Sequence, residues 1–468
     1  MSQVTSDTTG IFLGTSSDGR QVYPATCGRF GQTVLCGGSA GERLGVMRYL
    51  TETYSMAGVP VVVTDCGGTL SSLAQAGFPC SFWDLYASAG LPLRTTVSEM
   101  GPLLLSQLLK LNETQSDLLE LLFRIADENG LLLIDIKDLK ALIGEISEQR
   151  TVYEKTYGGI NTQSLAVILR EVTKLETQGY AGFLGEPAID VRDLISETQE
   201  ACGRIHILDM QEAVCEETLY RSFLLYLLSE LNETLPEIDA DEGPVLCMIL
   251  DEAGCLFTED SRSFLVKMKK LLSGLARRGV MVVFAADRWD QWPEALQEQV
   301  QEKLFFDGGL LQAEITDADG TVRTADDVTI PTCVSGNRGI SDTARAEAVS
   351  ADSLHEKYYL PFDRDSAYEF LQRRGLAQST DSDQAEDEAA ASESTASEED
   401  TAKKSEDAEA MAKRAKSSAQ SLGTTVAGTV GRQIGKSIGE NFGSFGSTLG
   451  GNIGASLGRG IMNTLFKN

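Results

Sequence analysis

The stretch "TVLCGGSAGERLG", residues 33–45, is the most informative part of this chain about its fold. It passes from an apolar run, typical of a strand, through a glycine-rich turn into a helix-like segment. Nucleotide-binding proteins place the loop that holds phosphate groups in this setting, between a strand and the N-terminus of a helix. The stretch therefore predicts a strand–turn–helix unit whose turn is a candidate phosphate site.

The turn departs from a working phosphate loop at most of the positions that carry its chemistry. Such a loop reads G-x-x-x-x-G-K-S/T: glycines expose backbone N–H groups, the lysine contacts phosphate and the hydroxyl binds magnesium. Aligned from Gly37, the chain has Glu42, Arg43 and Leu44 in place of the second glycine, the lysine and the hydroxyl residue. A carboxylate about 4 Å from phosphate repels it by about 4 kcal/mol at an effective dielectric constant near 20. The pattern indicates a largely dismantled phosphate loop, and an ordinary strand-to-helix turn is the alternative.

Any nucleotide contact is expected to come from the residues of this turn. The candidate nucleotide-binding residues are Gly37, Gly38, Ser39, Ala40, Gly41 and Arg43. ATP and Mg²⁺ are the cofactors that such a loop would hold, and we expect their binding to be weak or absent because of the three replacements.

A second motif, "VLCMILDEAGCLF" at residues 245–257, resembles a Walker B strand. Its mostly apolar run ends in Asp251 and Glu252. If the site is active, Asp251 is the magnesium ligand, and Glu252 is the catalytic residue that polarises the attacking water. The alternative is that the two acids cap the helix that follows.

The pattern of the whole chain predicts an α/β fold. The chain has 468 residues, of which 42% are apolar, enough for a substantial core. Between about 32 and 306, short apolar runs alternate with amphipathic segments, which predicts βαβ units and a mostly parallel sheet. The predicted strands are 33–36, 59–64, 205–208, 245–250 and 280–285. The apolar period changes to 3.6 between 97 and 177, which predicts an inserted helical subdomain.

We divide the chain into six segments. They are an N-terminal segment (1–30), the αβ part with the glycine turn (31–96), a helical insertion (97–200), the rest of the αβ core with the acidic strand end (201–360), a short helix with an acidic disordered linker (361–421) and a glycine-striped tail (422–468). The linker is predicted to be disordered because residues 381–409 hold 12 acidic and 2 basic residues and no aromatic one. Glycines four apart in the tail leave three alternatives open: a flexible tail, helix docking or self-association, and membrane contact.

Charge and composition exclude several classes of protein. The formal net charge of −29 argues against a broad nucleic-acid surface, since phosphate neutralisation supplies most non-specific affinity. Nine cysteines without a C-x-x-C pair, and two histidines, give little support for a zinc site or a disulfide framework. No run of 18 apolar residues is present, so no membrane span is predicted. We expect a cytoplasmic protein with reduced thiols.

Several longer stretches resemble the HerA-like helicase proteins of the bacterial YjgR type, within the HerA/FtsK branch of P-loop ATPases. The stretches are "GVPVVVTDCGGTLSSLAQAG" (58–77), "TTVSEMGPLLLSQLLKLNETQS" (95–116), "LLFRIADENGLLLIDIKDLKALI" (121–143), "FLGEPAIDVRDLI" (183–195), "DEAGCLF" (251–257) and "GTVGRQIGKSIG" (428–439). The resemblance implies a RecA-like parallel sheet with an inserted helical subdomain. For the family it implies a nucleotide-driven ring that acts on DNA.

The chain also departs from this family at positions outside the glycine turn. The family's D-x-K-G-D is Asp65-Cys66-Gly67-Gly68-Thr69 here, and its S-Q-N is Ala286-Asp287-Arg288. Where the family has an arginine that completes a neighbouring site, "QEKLFFDGGLLQAE" (301–314) offers Lys303, which is expected to be a solvated surface charge. Arg288 and Arg323 are possible substitutes without support from their spacing. Each of these replacements removes a group that the family's ATPase chemistry uses, so together they favour a pseudo-ATPase.

Three functions stay open from the sequence. The first is a catalytically impaired HerA-like scaffold or regulatory subunit in a homo-oligomer or hetero-oligomer. The second is a slow magnesium-dependent ATPase or DNA translocase that uses Arg43 and Glu252. The third is a nucleotide-free assembly protein that acts through residues 422–468. Two further features are expected to be structural: His206 on a strand, and Trp289 with Trp292 in a packed loop.

Overall fold

The computed structural model describes residues 11–23, 31–196, 202–239, 243–258, 262–317 and 320–374. Its strands are β1 (Gly14–Thr15), β2 (Gln21–Val22), β3 (Gln32–Gly37), β4 (Val61–Asp65), β5 (Cys80–Asp84), β6 (Leu91–Pro92), β7 (Ile205–Asp209), β8 (Leu246–Leu250), β9 (Val280–Ala286), β10 (Val300–Asp307), β11 (Leu310–Thr316) and β12 (Val322–Ala325). Its α-helices are α1 (Ala40–Met56), α2 (Ser72–Gln75), α3 (Val97–Leu108), α4 (Glu113–Glu128), α5 (Ile136–Glu148), α6 (Arg150–Tyr157), α7 (Thr162–Thr177), α8 (Glu217–Thr234), α9 (Arg262–Arg277), α10 (Asp342–Ala351) and α11 (His355–Tyr358).

Ten of these strands form one sheet in the order β12-β11-β10-β3-β9-β8-β4-β7-β5-β6. All neighbours from β10 to β6 pair in parallel, and only β10, β11 and β12 pair antiparallel at one edge. The predicted α/β class with a mostly parallel sheet is confirmed, and each of the five predicted strands is present. Strand β4 begins at Val61 rather than at Val59, because Pro60 has no N–H to donate to a ladder.

The burial pattern explains why the central strands read as continuous apolar runs. All five residues of β4 and all five of β8 are buried. A parallel sheet has helices on both faces, so neither face of a central strand meets water. Strand β11 alternates buried and partly exposed residues instead, as expected for an antiparallel strand with one solvated face.

The predicted helical insertion corresponds to α3 through α7, between β6 and β7. Four of these helices begin at a residue whose side chain accepts a backbone N–H of the first turn: Thr96, Asn112, Asp135 and Asn161. Such caps satisfy donors that lack an acceptor within the helix and so fix where it starts. Helix α3 packs against α8, which joins the insertion to the sheet.

Residues 355–371 form a strap that joins the core to the insertion. The side chain of Tyr358 is completely buried, and its hydroxyl donates to Asp193. The guanidinium of Arg94 donates to the Tyr358 carbonyl at 2.9 Å. Further along, the Asp138 carboxylate accepts the hydroxyl of Ser366 and the backbone N–H of Tyr368. The strap therefore binds to the insertion through Asp138 in addition to the chain connections.

The acidic stretch 381–409 and the glycine-striped tail lie outside the described residues, which end at Arg374. The short helix predicted before the linker corresponds to residues 367–374, which are helical. Among the helices of the described ranges, none combines the length and apolar character needed to cross a membrane.

Candidate functional site

Acidic residues lie at the ends of several strands of the parallel sheet, all at its carboxyl edge, and four of them belong to strands near the glycine turn. Asp65 ends β4, Asp209 ends β7, Asp251 follows β8 and Asp287 follows β9. Strand β9 lies between β3 and β8, so the turn after β3 and the end of β8 are separated by one strand. In open parallel sheets ligands bind outside the carboxyl ends of the strands, which makes this edge the candidate site.

The turn after β3 is short and tightly covered. Only Gly38 and Ser39 lie between the last strand residue, Gly37, and the first helical residue, Ala40. Both glycines adopt positive φ, +75° and +65°, a region that favours glycine. A Cβ on Gly38 would lie 2.9 Å from the ring of Phe306 at the end of β10. The turn is therefore held against the β10–β11 hairpin.

Ser39 and Glu42 form reciprocal hydrogen bonds at the N-terminus of α1. The backbone N–H of Ser39 donates to Glu42 Oε2 at 2.7 Å, and the Ser39 hydroxyl donates to the same oxygen at 2.8 Å. In return the N–H of Glu42 donates to Ser39 Oγ at 3.3 Å, which completes a capping box. These bonds, first the N–H and then the hydroxyl of Ser39, hold the pKa of Glu42 below its usual value.

Arg43 stands at the position of the phosphate-binding lysine, and its guanidinium contacts protein groups. One terminal nitrogen donates to the carbonyls of Gly37 and Gly38, each at 3.3 Å. The other donates to Asp287 Oδ1 at 2.5 Å and lies 3.4 Å from Glu252 Oε1. The Arg43 side chain is 3% exposed, whereas those of Asp287 and Glu252 are 61% and 39% exposed. Arg43 thus ties the turn after β3 to the acids that follow β8 and β9.

Asp251 is fixed mainly through its backbone. Its N–H donates to Thr64 Oγ1 at 2.7 Å, and its carbonyl accepts the Tyr220 hydroxyl at 2.5 Å. Its carboxylate accepts the N–H of Glu252 at 3.0 Å, and Glu252 has a φ of +49°. Burial, together with the neighbouring charge of Glu252, raises the pKa of Asp251 to about 6, although Arg43 opposes the rise. Sequence reasoning missed Thr64 and Tyr220, and a polar Thr64 within an apolar strand was the only available signal.

Residues 65–69, which stand where the family has D-x-K-G-D, form a turn that the Asp65 side chain stabilises. The Asp65 carboxylate accepts the backbone N–H groups of Thr69 and Leu70 at 3.2 and 2.9 Å. Burial raises the pKa of Asp65, and these two N–H donors oppose the rise. The hydroxyl of Thr69 lies 3.4 Å from the buried guanidinium of Arg48, which also donates to Asn337. This aspartate therefore shapes the turn.

The prediction that Lys303 is a solvated surface charge is wrong. Its side chain is 23% exposed and its ammonium lies 4.6 Å from the ring centre of Trp289 and 4.7 Å from that of Phe305. It also pairs with Glu314 at 3.5 Å, because β10 and β11 place the two residues opposite each other. Cation–π contacts of this kind keep a lysine against the protein surface.

His206 and Trp292 occupy structural positions, as the sequence predicts. His206 is fully buried in β7 and accepts the indole N–H of Trp83 at 3.1 Å, and burial lowers its pKa to about 3. Trp292 is buried with its ring 4.6 Å from that of Phe257. Arg323, one of the substitutes for the missing arginine, forms two hydrogen bonds with Asp317, each at 2.7 Å.

Within the described ranges, no group of three or more His, Cys, Asp or Glu side chains is arranged to hold a metal ion. Asp251 and Glu252 are neighbours, yet Glu252 lies beside Arg43. The roles predicted for Asp251 in binding magnesium and for Glu252 in catalysis stay predictions, as do those of the six residues of the glycine turn.

A sequence profile of the family described as helicase HerA-like C-terminal matches residues 75–306 and 308–452. The chain belongs to this family. It is thus a HerA-like P-loop ATPase family member with the RecA-like α/β fold that the resemblance implies. The match includes Asp251 and Glu252, and it begins after the glycine turn.

Three solved structures are similar to parts of this chain. VirB4 of Thermoanaerobacter pseudethanolicus is 13% identical, with 70% of this chain and 97% of that chain covered and a TM-score of 0.48. The bacterial conjugative coupling protein TrwB, in a complex with sulphate, is 13% identical, with coverages of 72% and 94% and a TM-score of 0.41. The plasmid coupling protein TrwB with the ATP analogue ADPNP is 13% identical, with coverages of 66% and 84% and a TM-score of 0.39. Comparison with curated proteins gives no significant match.

Proposed function

We propose that this HerA-like protein is a catalytically impaired ATPase that serves as a scaffold or regulatory subunit in a homo-oligomeric or hetero-oligomeric assembly. The observation that carries the proposal is the set of hydrogen bonds made by Arg43. The only cation of the glycine turn is buried and shared among two carbonyls, Asp287 and Glu252. A lysine in a working loop keeps its charge for phosphate.

The surroundings of Arg43 support the same proposal. Leu44 offers no oxygen to magnesium, and the charge of Arg43 beside Glu252 repels a divalent cation at the place where the acids would hold it. These residues, as they are arranged, do not fit a magnesium–nucleotide pair. We therefore derive no hydrolytic step for the site.

Titration of the purified full-length chain with Mg²⁺-ATP tests the proposal. We expect no saturable heat in calorimetry and no rise in melting temperature at millimolar nucleotide. A ligand that binds only the folded state stabilises it by about 2.7 kcal/mol at 100 times its Kd, so a shift is easily seen when binding occurs. Saturable magnesium-dependent binding would refute the proposal.

A slow ATPase is the second candidate, and the pair Asp251–Glu252 favours it. Both acids follow β8 in the order that magnesium binding and water activation require. This candidate predicts that Glu252→Gln abolishes a magnesium-dependent release of phosphate. An equal residual rate in the variant would instead identify a contaminating activity.

The glycine-striped tail carries the proposal for assembly. The family match extends to residue 452 and so includes much of the segment 422–468. We expect deletion of residues 422–468 to reduce the oligomeric mass in light scattering. An unchanged mass would mean that the assembly contacts lie in the part of the chain before residue 422.

A further inference from the structure

The N-terminus of helix α1 has the general features that favour an anion. The helix has 17 residues, and the first N–H groups of a helix lack acceptors within the helix. Together with the helix dipole they favour a negative charge, which is why phosphate binds at such ends. In this chain the negative charge comes from within, since the Glu42 carboxylate lies at that end.

The contacts of Glu42 are those that a phosphate oxygen would make. Glu42 Oε2 accepts both the backbone N–H and the hydroxyl of Ser39. The other oxygen, Oε1, lies 3.5 Å from where a Cβ on Gly309 would stand, in the turn between β10 and β11. The carboxylate therefore sits between the helix end and the hairpin that covers the glycine turn.

Arg43, the residue after Glu42, is likewise engaged by groups of the chain itself. Its side chain is almost fully buried, its head group is directed at the carbonyls of Gly37 and Gly38, and its Nε has no hydrogen-bond partner among the described residues. A buried guanidinium without a full set of acceptors is costly unless a nearby negative charge compensates. Asp287 and Glu252 provide that charge.

We propose that Glu42 is an internal ligand of the anion site at the N-terminus of α1 and the residue that makes this site reject phosphate. Its carboxylate takes the Ser39 donors that a phosphate group needs, and its charge repels a second anion. The inference rests on the proposed function, because it explains why the site would lack nucleotide. It identifies Glu42 as the residue whose neutralisation should allow phosphate to bind.

Two substitutions separate the charge of Glu42 from its hydrogen bonds. Glu42→Gln keeps an oxygen for the Ser39 donors and removes the charge, whereas Glu42→Gly restores the second glycine of the loop pattern. Glu113→Gln is the matched control, because Glu113 is an exposed acid in the first turn of α4. The probes are tripolyphosphate without metal and then Mg²⁺-ATP, both followed by calorimetry.

We expect Glu42→Gln and Glu42→Gly to bind tripolyphosphate at least about tenfold more tightly than the unchanged chain. The control should bind no better than the unchanged chain. Equal binding by the unchanged chain and both Glu42 variants, with melting curves that confirm folding, would overturn the inference.

A triple variant distinguishes Glu42 from Arg43 as the cause. Glu42→Gly with Arg43→Lys and Leu44→Thr restores the whole loop pattern. If only this variant binds, the engagement of Arg43 rejects phosphate and the inference about Glu42 fails. If the unchanged chain binds Mg²⁺-ATP but neutralising Glu42 still raises affinity tenfold, the proposed function fails and the inference survives.

Discussion

The turn after β3 and the end of β8 lie at the same edge of one sheet and differ in what they retain. At the turn, Glu42, Arg43 and Leu44 replace the residues that hold phosphate and magnesium. At the end of β8, both acids are present in the expected order. The two regions meet in one side chain, Arg43, which donates to the turn and to Glu252.

The comparison shows that one retained acid, Glu252, also has a structural contact. Arg43 is buried in a place that needs negative charge, and Glu252 with Asp287 supplies it. Acids at a strand end can therefore be kept by a structural cation as well as by a metal. Substitutions of Arg43, Asp251, Ser39 and Glu252 test whether the two regions depend on each other in this way.

The largest effect is expected from Arg43→Met. The substitution removes four hydrogen bonds and leaves the carbonyls of Gly37 and Gly38 without this donor. We expect the free energy of unfolding to fall by about 2–3 kcal/mol, less than for a fully buried pair because Asp287 and Glu252 are partly exposed. Urea unfolding followed by circular dichroism measures it.

Arg277→Met is the control for this substitution. Arg277 bonds to Glu237 at 2.9 Å, and both side chains are more than half exposed. Its loss should cost less than about 0.5 kcal/mol. An equal cost for the two variants would mean that Arg43 does not tie the turn to the acids.

Asp251→Asn is expected to stabilise the protein at neutral pH. Because burial raises the pKa of Asp251 from 3.8 to about 6, the folded state holds a proton that the unfolded state has lost between these values. The unchanged protein therefore loses stability as the pH rises through this window, and the variant does not. We expect the variant to be more stable by about 2 kcal/mol at pH 7, and by almost nothing near pH 4.

Urea unfolding of both proteins at several pH values measures this gap. Asp290→Asn serves as the control, since it makes the same substitution at an aspartate whose side chain is 68% exposed. A constant gap for Asp251→Asn between pH 4 and pH 7 would contradict the burial of its carboxylate as the cause.

Ser39→Ala should cost about 1 kcal/mol, the usual value for an N-cap. The substitution removes the acceptor for the Glu42 N–H and a donor to the Glu42 carboxylate. The control is Ser341→Ala, which removes the N-cap of α10. The Ser341 side chain accepts the N–H of Ala344 and is not part of a capping box. The Ser39 variant should lose more stability in thermal melts, and the reverse order would mean that the capping box adds nothing.

The smallest effect is expected from Glu252→Gln. Glu252 is partly exposed and lies 3.4 Å from Arg43, whereas Asp287 lies at 2.5 Å and keeps the guanidinium engaged. We expect the free energy of unfolding to change by less than about 0.5 kcal/mol. A loss above about 1 kcal/mol would make Glu252, not Asp287, the principal partner of Arg43.

Much of the fold could be predicted from the pattern of apolar residues. The runs that became β3, β4, β7, β8 and β9 are recognisable because a parallel strand is buried on both faces. The helices of the insertion have a clear 3.6 period, and caps such as Asn112 and Asp135 mark their first residues. Strands β5, β6, β10, β11 and β12 of the sheet were not predicted. Strand β6 has only two residues, β5 begins at a partly exposed Cys80, and β11 has one solvated face.

Less of the candidate site could be predicted. The sequence identified the glycine turn, Asp251 and Glu252 by their order and spacing. It did not reveal that Asp287, 244 positions after Arg43, accepts from its guanidinium, nor that Phe306 covers Gly38. Lys303 was misjudged for the same reason, because its neighbours Trp289 and Glu314 come from other segments.

The amino-acid pattern predicted the five central strands, the helical insertion and the loss of the phosphate-loop residues, because local burial and local chemistry leave periodic patterns and motifs. The contacts of the remaining charges follow from the folded arrangement. Glu42 closes the end of α1, while Arg43 joins three strand ends that are distant along the chain. The physical reason is that the parallel sheet brings the carboxyl ends of its strands together, so the partner of a charge depends on strand order.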